Sequence, residues 1–68
     1  MNLVNEIKEI VKNKAVEVPK IRDELQKKYP KADSNKLRDC IILISEIDEE
    51  LLIDKSKTTY KYFAVKLK

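Results

Sequence analysis

Glycine is absent from this 68-residue chain, and with it every motif that needs one. The phosphate-cradling loops of nucleotide enzymes are excluded, as are the turn types that depend on a residue with positive φ. There is no histidine and a single cysteine, Cys40, so neither an intrachain disulfide nor a zinc site can be assembled. No apolar run approaches the roughly 20 residues of a membrane span. The first turns mix apolar residues with Glu6, Lys8 and Glu9, unlike the uninterrupted apolar stretch of a signal peptide. An unpaired thiol and no targeting segment predict a cytoplasmic protein with no cofactor, metal or membrane partner.

Catalytic constellations are missing too. Cys40 has no histidine to activate it, and the carboxylates of Asp48, Glu49 and Glu50 are adjacent rather than set across a pocket. The expectation is a non-enzyme that takes no small-molecule substrate.

What is present is charge, at 40% of residues, with a formal net charge of +3. Its distribution is uneven. Residues 1–53 carry ten Lys/Arg against eleven Asp/Glu, whereas residues 54–68 carry five lysines against one aspartate. A basic surplus confined to one segment points to a polyanionic partner more strongly than the total does. The richness in Lys, Glu and Ile fits either a thermophile or an AT-rich genome.

Hydrophobic periodicity supplies the elements. Over residues 2–12, Leu3, Val4, Ile7, Ile10 and Val11 recur at spacings of three and four, which predicts an amphipathic helix. Residues 15–18 are β-branched and alternating, enough for a very short strand. Pro19 suits the first turn of a second helix over residues 19–29, with Ile21, Leu25 and Tyr29 on one face; Pro30 ends it. After a turn, Asp33 or Ser34 caps a third helix over residues 35–47. With Leu37 at 0° and about 100° per residue, Cys40, Ile41, Ile44 and Ile47 fall within about 80° of it and form the expected core stripe. Residues 51–53 read as a strand, 54–59 as a polar turn, and 60–67 as a second strand with Phe63, Val65 and Leu67 alternating. Tyr60 and Tyr62, interleaved with Lys61, read as cross-strand packing in preference to base stacking.

The order helix, short strand, helix, turn, helix, hairpin resembles the winged helix-turn-helix superfamily over nearly the whole length. Residues 15–18 stand at the family's first strand, residues 19–47 supply two helices around a short turn, and residues 51–67 supply the hairpin whose loop is the wing. The resemblance implies a single α+β domain, a three-helix bundle with a C-terminal two-stranded hairpin and a short first strand. One departure is visible: the passage from third helix to hairpin is Asp48-Glu49-Glu50, where the family commonly has a glycine.

The resemblance also implies binding of double-stranded DNA by a small transcriptional regulator, with the third helix in the major groove and the wing on the backbone. It nominates Ser34, Asn35, Lys36 and Arg38 at the start of the third helix. Asn suits adenine, Arg suits guanine and Lys suits phosphate. On the wing it nominates Lys55, Ser56, Lys57, Thr58 and Lys61, with Lys20 and Arg22 for neighbouring phosphates. A homodimer would set two wings on one duplex.

A rival reading comes from the outward face of the third helix. On the same helical wheel, Asp39, Ile42 and Glu46 lie opposite the core stripe, and an isoleucine flanked by carboxylates suits a protein partner better than phosphate. That reading makes the chain a protein–protein interaction module, an accessory subunit or a protein inhibitor, docking through Ile42, Asp39 and Glu46.

Overall fold

The computed structural model describes residues 2–56 and 59–68, with the backbone alone at Tyr60. Three helices pack on one face of a three-stranded antiparallel sheet, in an α+β arrangement: α1 (Leu3–Val11), β1 (Val16–Glu17), α2 (Val18–Lys28), α3 (Ser34–Ile47), β2 (Leu51–Asp54), a 3-10 turn (Tyr60–Tyr62) and β3 (Ala64–Leu67). The strand order is β1-β3-β2, so the last strand of the chain is the central one. No helix among the described residues is long and apolar enough to cross a membrane.

Each helix is framed by its flanking residues. Asn2 stands outside α1 and accepts a hydrogen bond from the Asn5 N–H at 3.2 Å, capping a helix whose buried residues are Ile7 and Val11. α2 begins at Val18 immediately after β1, with Pro19 in its first turn. Pro30 forces Tyr29 out of helical geometry, to φ −126° and ψ 70°. Asp33 caps α3 twice over, its carboxylate accepting from the N–H groups of Asn35 at 2.8 Å and Lys36 at 3.2 Å.

The turn between α2 and α3 is held by a side chain. The Gln26 amide Nε2 donates to the carbonyls of Ala32 at 2.7 Å and Tyr29 at 3.1 Å, satisfying acceptors that a glycine-based helix end would have bonded within the backbone. Its Oε1 is buried without a partner among the described residues.

The core joins Ile7 and Val11 of α1, Val18, Ile21 and Leu25 of α2, Leu37 and Ile41 of α3, and Val16, Leu51 and Val65 of the sheet. Fully burying each such side chain is worth about 1.5–3 kcal/mol.

The stripe on α3 differs from the sequence expectation. Its buried residues are Leu37, Ile41 and Ser45, four apart, while Cys40 is exposed and Ile47 is 70% exposed. The helix is rotated by about 60° relative to the expected register. Ser45 occupies the interior by donating its hydroxyl to the Ile41 carbonyl at 2.7 Å, which removes the cost of burying a polar group. Ile42, expected to face outward, is partly buried and packs against the core.

β3 is also shorter than the strand expected over residues 60–67. Its ladders end at Glu17↔Ala64 on one side and Asp54↔Ala64 on the other. Before Ala64 both neighbours have turned away, one into α2 and one into the hairpin loop. Residues 60–62 therefore form a 3-10 turn, with the Tyr62 N–H donating to the Thr59 carbonyl at 3.1 Å.

α1 and α2 are joined by a polar contact at the molecular edge. The Tyr29 hydroxyl donates to Glu6 Oε2 at 2.6 Å and Lys28 Nζ lies 2.8 Å from Oε1. These bonds, from Lys28 first and then Tyr29, hold the Glu6 carboxyl below its ordinary pKa of 4.5.

The roles of these side chains can be checked by unfolding. Replacing Gln26 by Leu, which takes the side-chain donor from the part-buried Ala32 carbonyl and leaves the Tyr29 carbonyl only the Ala32 N–H, should cost about 1–2 kcal/mol in urea unfolding; replacing exposed Cys40 by Ser should change stability by no more than about 0.5 kcal/mol. Because Glu6 is depressed in the folded state, its contribution is complete above about pH 4.5 and is lost as pH falls through the lower folded value. Glu6→Gln should flatten the pH dependence of the thermal midpoint in that acid window and leave its slope above about pH 6 unchanged.

Candidate nucleic-acid interface

Three segments meet at one end of the molecule. The N–H of Val18, the first residue of α2, donates to the Phe63 carbonyl at 3.0 Å, so the returning arm of the hairpin is bonded to the start of that helix. The outgoing arm stands against α3, with Lys55 Nζ 2.8 Å from a Glu46 carboxylate oxygen. Lys55 also sits 6.0 Å from the centroid of the Phe63 ring, a modest cation–π contact that bridges the two arms. The start of α2, the hairpin and the second half of α3 therefore adjoin one another.

The residues nominated from sequence divide into two groups by whether their charges are paired. Ser34, Asn35 and Lys36 are exposed on the first turn of α3, Lys20 on the first turn of α2, and Lys61 on the 3-10 turn. Lys20, Lys36 and Lys61 have no ion-pair partner among the described residues. Arg38, Arg22 and Lys55 are engaged instead. Arg38 donates from Nε and Nη2 to Asp39 at 3.1 and 2.9 Å, Arg22 donates to Asp23 at 3.2 Å, and Lys55 pairs with Glu46. Neighbouring carboxylates thus offset the charge of these three cations. Ser56 is fixed by its own loop, its N–H donating to Asp54 at 2.9 Å. Lys57 and Thr58 lie outside the described residues.

The residues expected to form a protein-docking face on α3 are placed differently. Ile42 belongs to the periphery of the core, and Asp39 and Glu46 are the partners of Arg38 and Lys55. The apolar side chains that α3 does present are Leu43, 58% exposed, and Ile47, with exposed Cys40 one turn before Leu43. Sequence reasoning placed Cys40 and Ile47 in the core because apolar residues cover more than one face of this helix. The usable signal was the four-residue repeat from Leu37 through Ile41 to Ser45, which fixes the buried line only if a serine is admitted to it.

The acidic passage after α3 is explained by its bonds. Asp48 adopts an extended backbone, φ −79° and ψ 128°, and its carboxylate accepts from the Glu50 N–H at 2.8 Å. That bond, with Lys8 at 3.4 Å, keeps the Asp48 carboxyl below its ordinary pKa. The aspartate closes the helix end where a glycine would have used a left-handed residue.

No protein-family model matches this chain, and neither the curated proteins nor the solved structures give a match.

The placement of Ile42 and Leu43 yields a direct test of the observed register. Ile42→Asp should lower stability by about 2 kcal/mol or more, because it buries a charge among apolar neighbours. Leu43→Asp should stay within about 0.5 kcal/mol of the parent in the same denaturant titration. The reverse order would favour the register expected from sequence.

Proposed function

We propose that this chain is a winged-helix DNA-binding protein, a small transcriptional regulator. The observation that carries the reading is a set of three lysines, Lys20 at the start of α2, Lys36 at the start of α3 and Lys61 on the 3-10 turn, that are exposed and free of carboxylate partners among the described residues. In support, the strand order β1-β3-β2 is compatible with a winged-helix arrangement, and the hairpin loop leaves β2 beside α3 at the Lys55–Glu46 contact.

On this reading the three lysines hold phosphates on the two sides of a groove entered by the first turns of α3. Lysine–phosphate contacts release condensed counterions, which supplies affinity without sequence preference. Asn35 is free to meet a base edge. Arg38 does so only by leaving Asp39, so its contribution depends on exchanging one carboxylate-bonded guanidinium for a bidentate contact to guanine.

The test is fluorescence anisotropy of a random duplex against salt concentration. Duplex affinity should fall steeply with salt. Joint replacement of Lys20, Lys36 and Lys61 by Gln should weaken binding and reduce the magnitude of the log–log salt slope by about 2–3, since each neutralised phosphate accounts for roughly 0.9. Asp39→Asn, which removes a carboxylate that repels phosphate, should tighten binding. Affinity unaltered by the triple replacement would overturn the proposal.

A further inference from the structure

The second half of α3 and the neighbouring strand carry a surface that the DNA reading leaves unused. Leu43, Ile47 and Leu52 are 58%, 70% and 43% exposed. Among the described residues the other large hydrophobic side chain so exposed is Tyr62, which belongs to the hairpin. Ile47 and Leu52 face each other across a groove between the end of α3 and β2. From Leu52 the apolar surface continues into a shallow depression beside Ala15 and Ala64 on the outer face of the sheet. A chain this short has little apolar surface to spare from its core, so a clustered remainder of this kind marks a contact site.

The charges bordering the patch indicate what covers it. On the helix side stands Glu49, just past the end of α3. On the strand side stands Lys66, the direct cross-strand neighbour of Leu52. Both are exposed, and neither has an ion-pair or hydrogen-bond partner among the described residues. The groove is also lined by Glu46, Asp48 and Lys55, each ion-paired within the chain, and by Lys68. The charges at the patch without an ion pair are therefore acidic at Glu49 and basic at Lys66 and Lys68, with apolar surface between them. A twofold operation about an axis through the groove lays the acidic border of one copy on the basic border of the other, and does so twice. Such self-complementarity is the requirement for an isologous dimer.

We propose that two copies of this chain pair through Leu43, Ile47 and Leu52 about a twofold axis in the groove between α3 and β2, with Glu49 of each copy against Lys66 of the other. The surface is small, so the dimer is a weak one that forms as concentration rises through the micromolar range. The proposal stands whether or not the protein binds DNA, since it uses the second half of α3 and the sheet.

Sedimentation equilibrium of the full chain from about 10 μM to about 1 mM tests it. The parent protein should dimerise over that range. Leu43→Asp and Ile47→Asp should each remain monomeric, with thermal unfolding close to that of the parent monomer. Glu49→Lys alone and Lys66→Glu alone should each weaken self-association about tenfold or more, because each sets like charges together at both contacts. An equimolar mixture of those two variants should recover dimer, because a mixed pair restores opposite charges at both contacts. A parent protein monomeric throughout, a dimer that survives the Leu43 and Ile47 changes, or a mixture that stays monomeric would each overturn the proposal.

Discussion

The arrangement depends on β3. It is the last strand of the chain and the middle strand of the sheet, and both of its neighbours are short. Val65 lies opposite Val16 on one side and Ile53 on the other, and it is fully buried. The strand joins the start of α2 to the segment that follows α3, two regions far apart in sequence. Such non-local pairing incurs a loop-closure cost before any contact compensates for it. The compensation here is apolar: Val16, Leu51 and Val65 present one buried face to Ile7, Val11, Ile21 and Ile41. Because the bond from Val18 to Phe63 continues that pairing beyond the ladder, the hairpin cannot shift without moving α2. That the start of α2 and the hairpin adjoin at that end of the molecule follows from the central strand.

A second constraint is the missing glycine. Among the described residues none has positive φ, so helix ends cannot close through the left-handed residue that commonly serves there. Side chains and extended backbone serve instead. Asp33 caps the beginning of α3, Asp48 closes the passage after its end, and Gln26 bonds the carbonyls of the turn between α2 and α3. Acidic residues near a helix C-terminus oppose its dipole, and at Asp48 that cost is offset locally. The Asp48 carboxylate accepts a backbone N–H and faces Lys8, and these local bonds outweigh a few tenths of a kcal/mol of helix-dipole repulsion.

The same physics decides what could be read from sequence. α1 and α2 were legible because their apolar residues occupy one face each, Ile7 with Val11 and Ile21 with Leu25, although Val18, read as strand, is the first residue of α2. Pro19 and Pro30 bounded α2 on stereochemical grounds, and Asp33 was legible as a cap. The rotation of α3 was not legible. Leu37, Cys40, Ile41, Ile42, Leu43, Ile44 and Ile47 leave several apolar faces open, and packing against α2 and β2 selects the one that ends in Ser45. A serine enters a core stripe only when its hydroxyl finds a carbonyl one turn back, a fact of geometry rather than of composition. The pairing of Arg38 with Asp39 and of Lys55 with Glu46 was equally hidden. Adjacent or distant opposite charges are common in a chain that is 40% charged, and only the fold selects which of them meet.

These placements divide α3 into two working halves. Its first turns are polar, with Ser34, Asn35 and Lys36 exposed just past the turn that follows α2. Its last turns expose Leu43 and Ile47, and Ile47 lines the groove at β2. A helix wholly suited to a DNA groove would carry neither exposed branched aliphatics nor the carboxylates of Asp39 and Glu46. A helix wholly suited to a protein partner would leave no reason for unmatched lysines around its N-terminus. Assigning the polar half to phosphate and base contact and the apolar half to a second copy removes both objections. The carboxylates then have a role of their own: paired with Arg38 and Lys55, they reduce the positive field around the middle of the helix. Exposed lysines without a carboxylate partner among the described residues, Lys20, Lys36 and Lys61 among them, then supply the nonspecific attraction on the proposed reading.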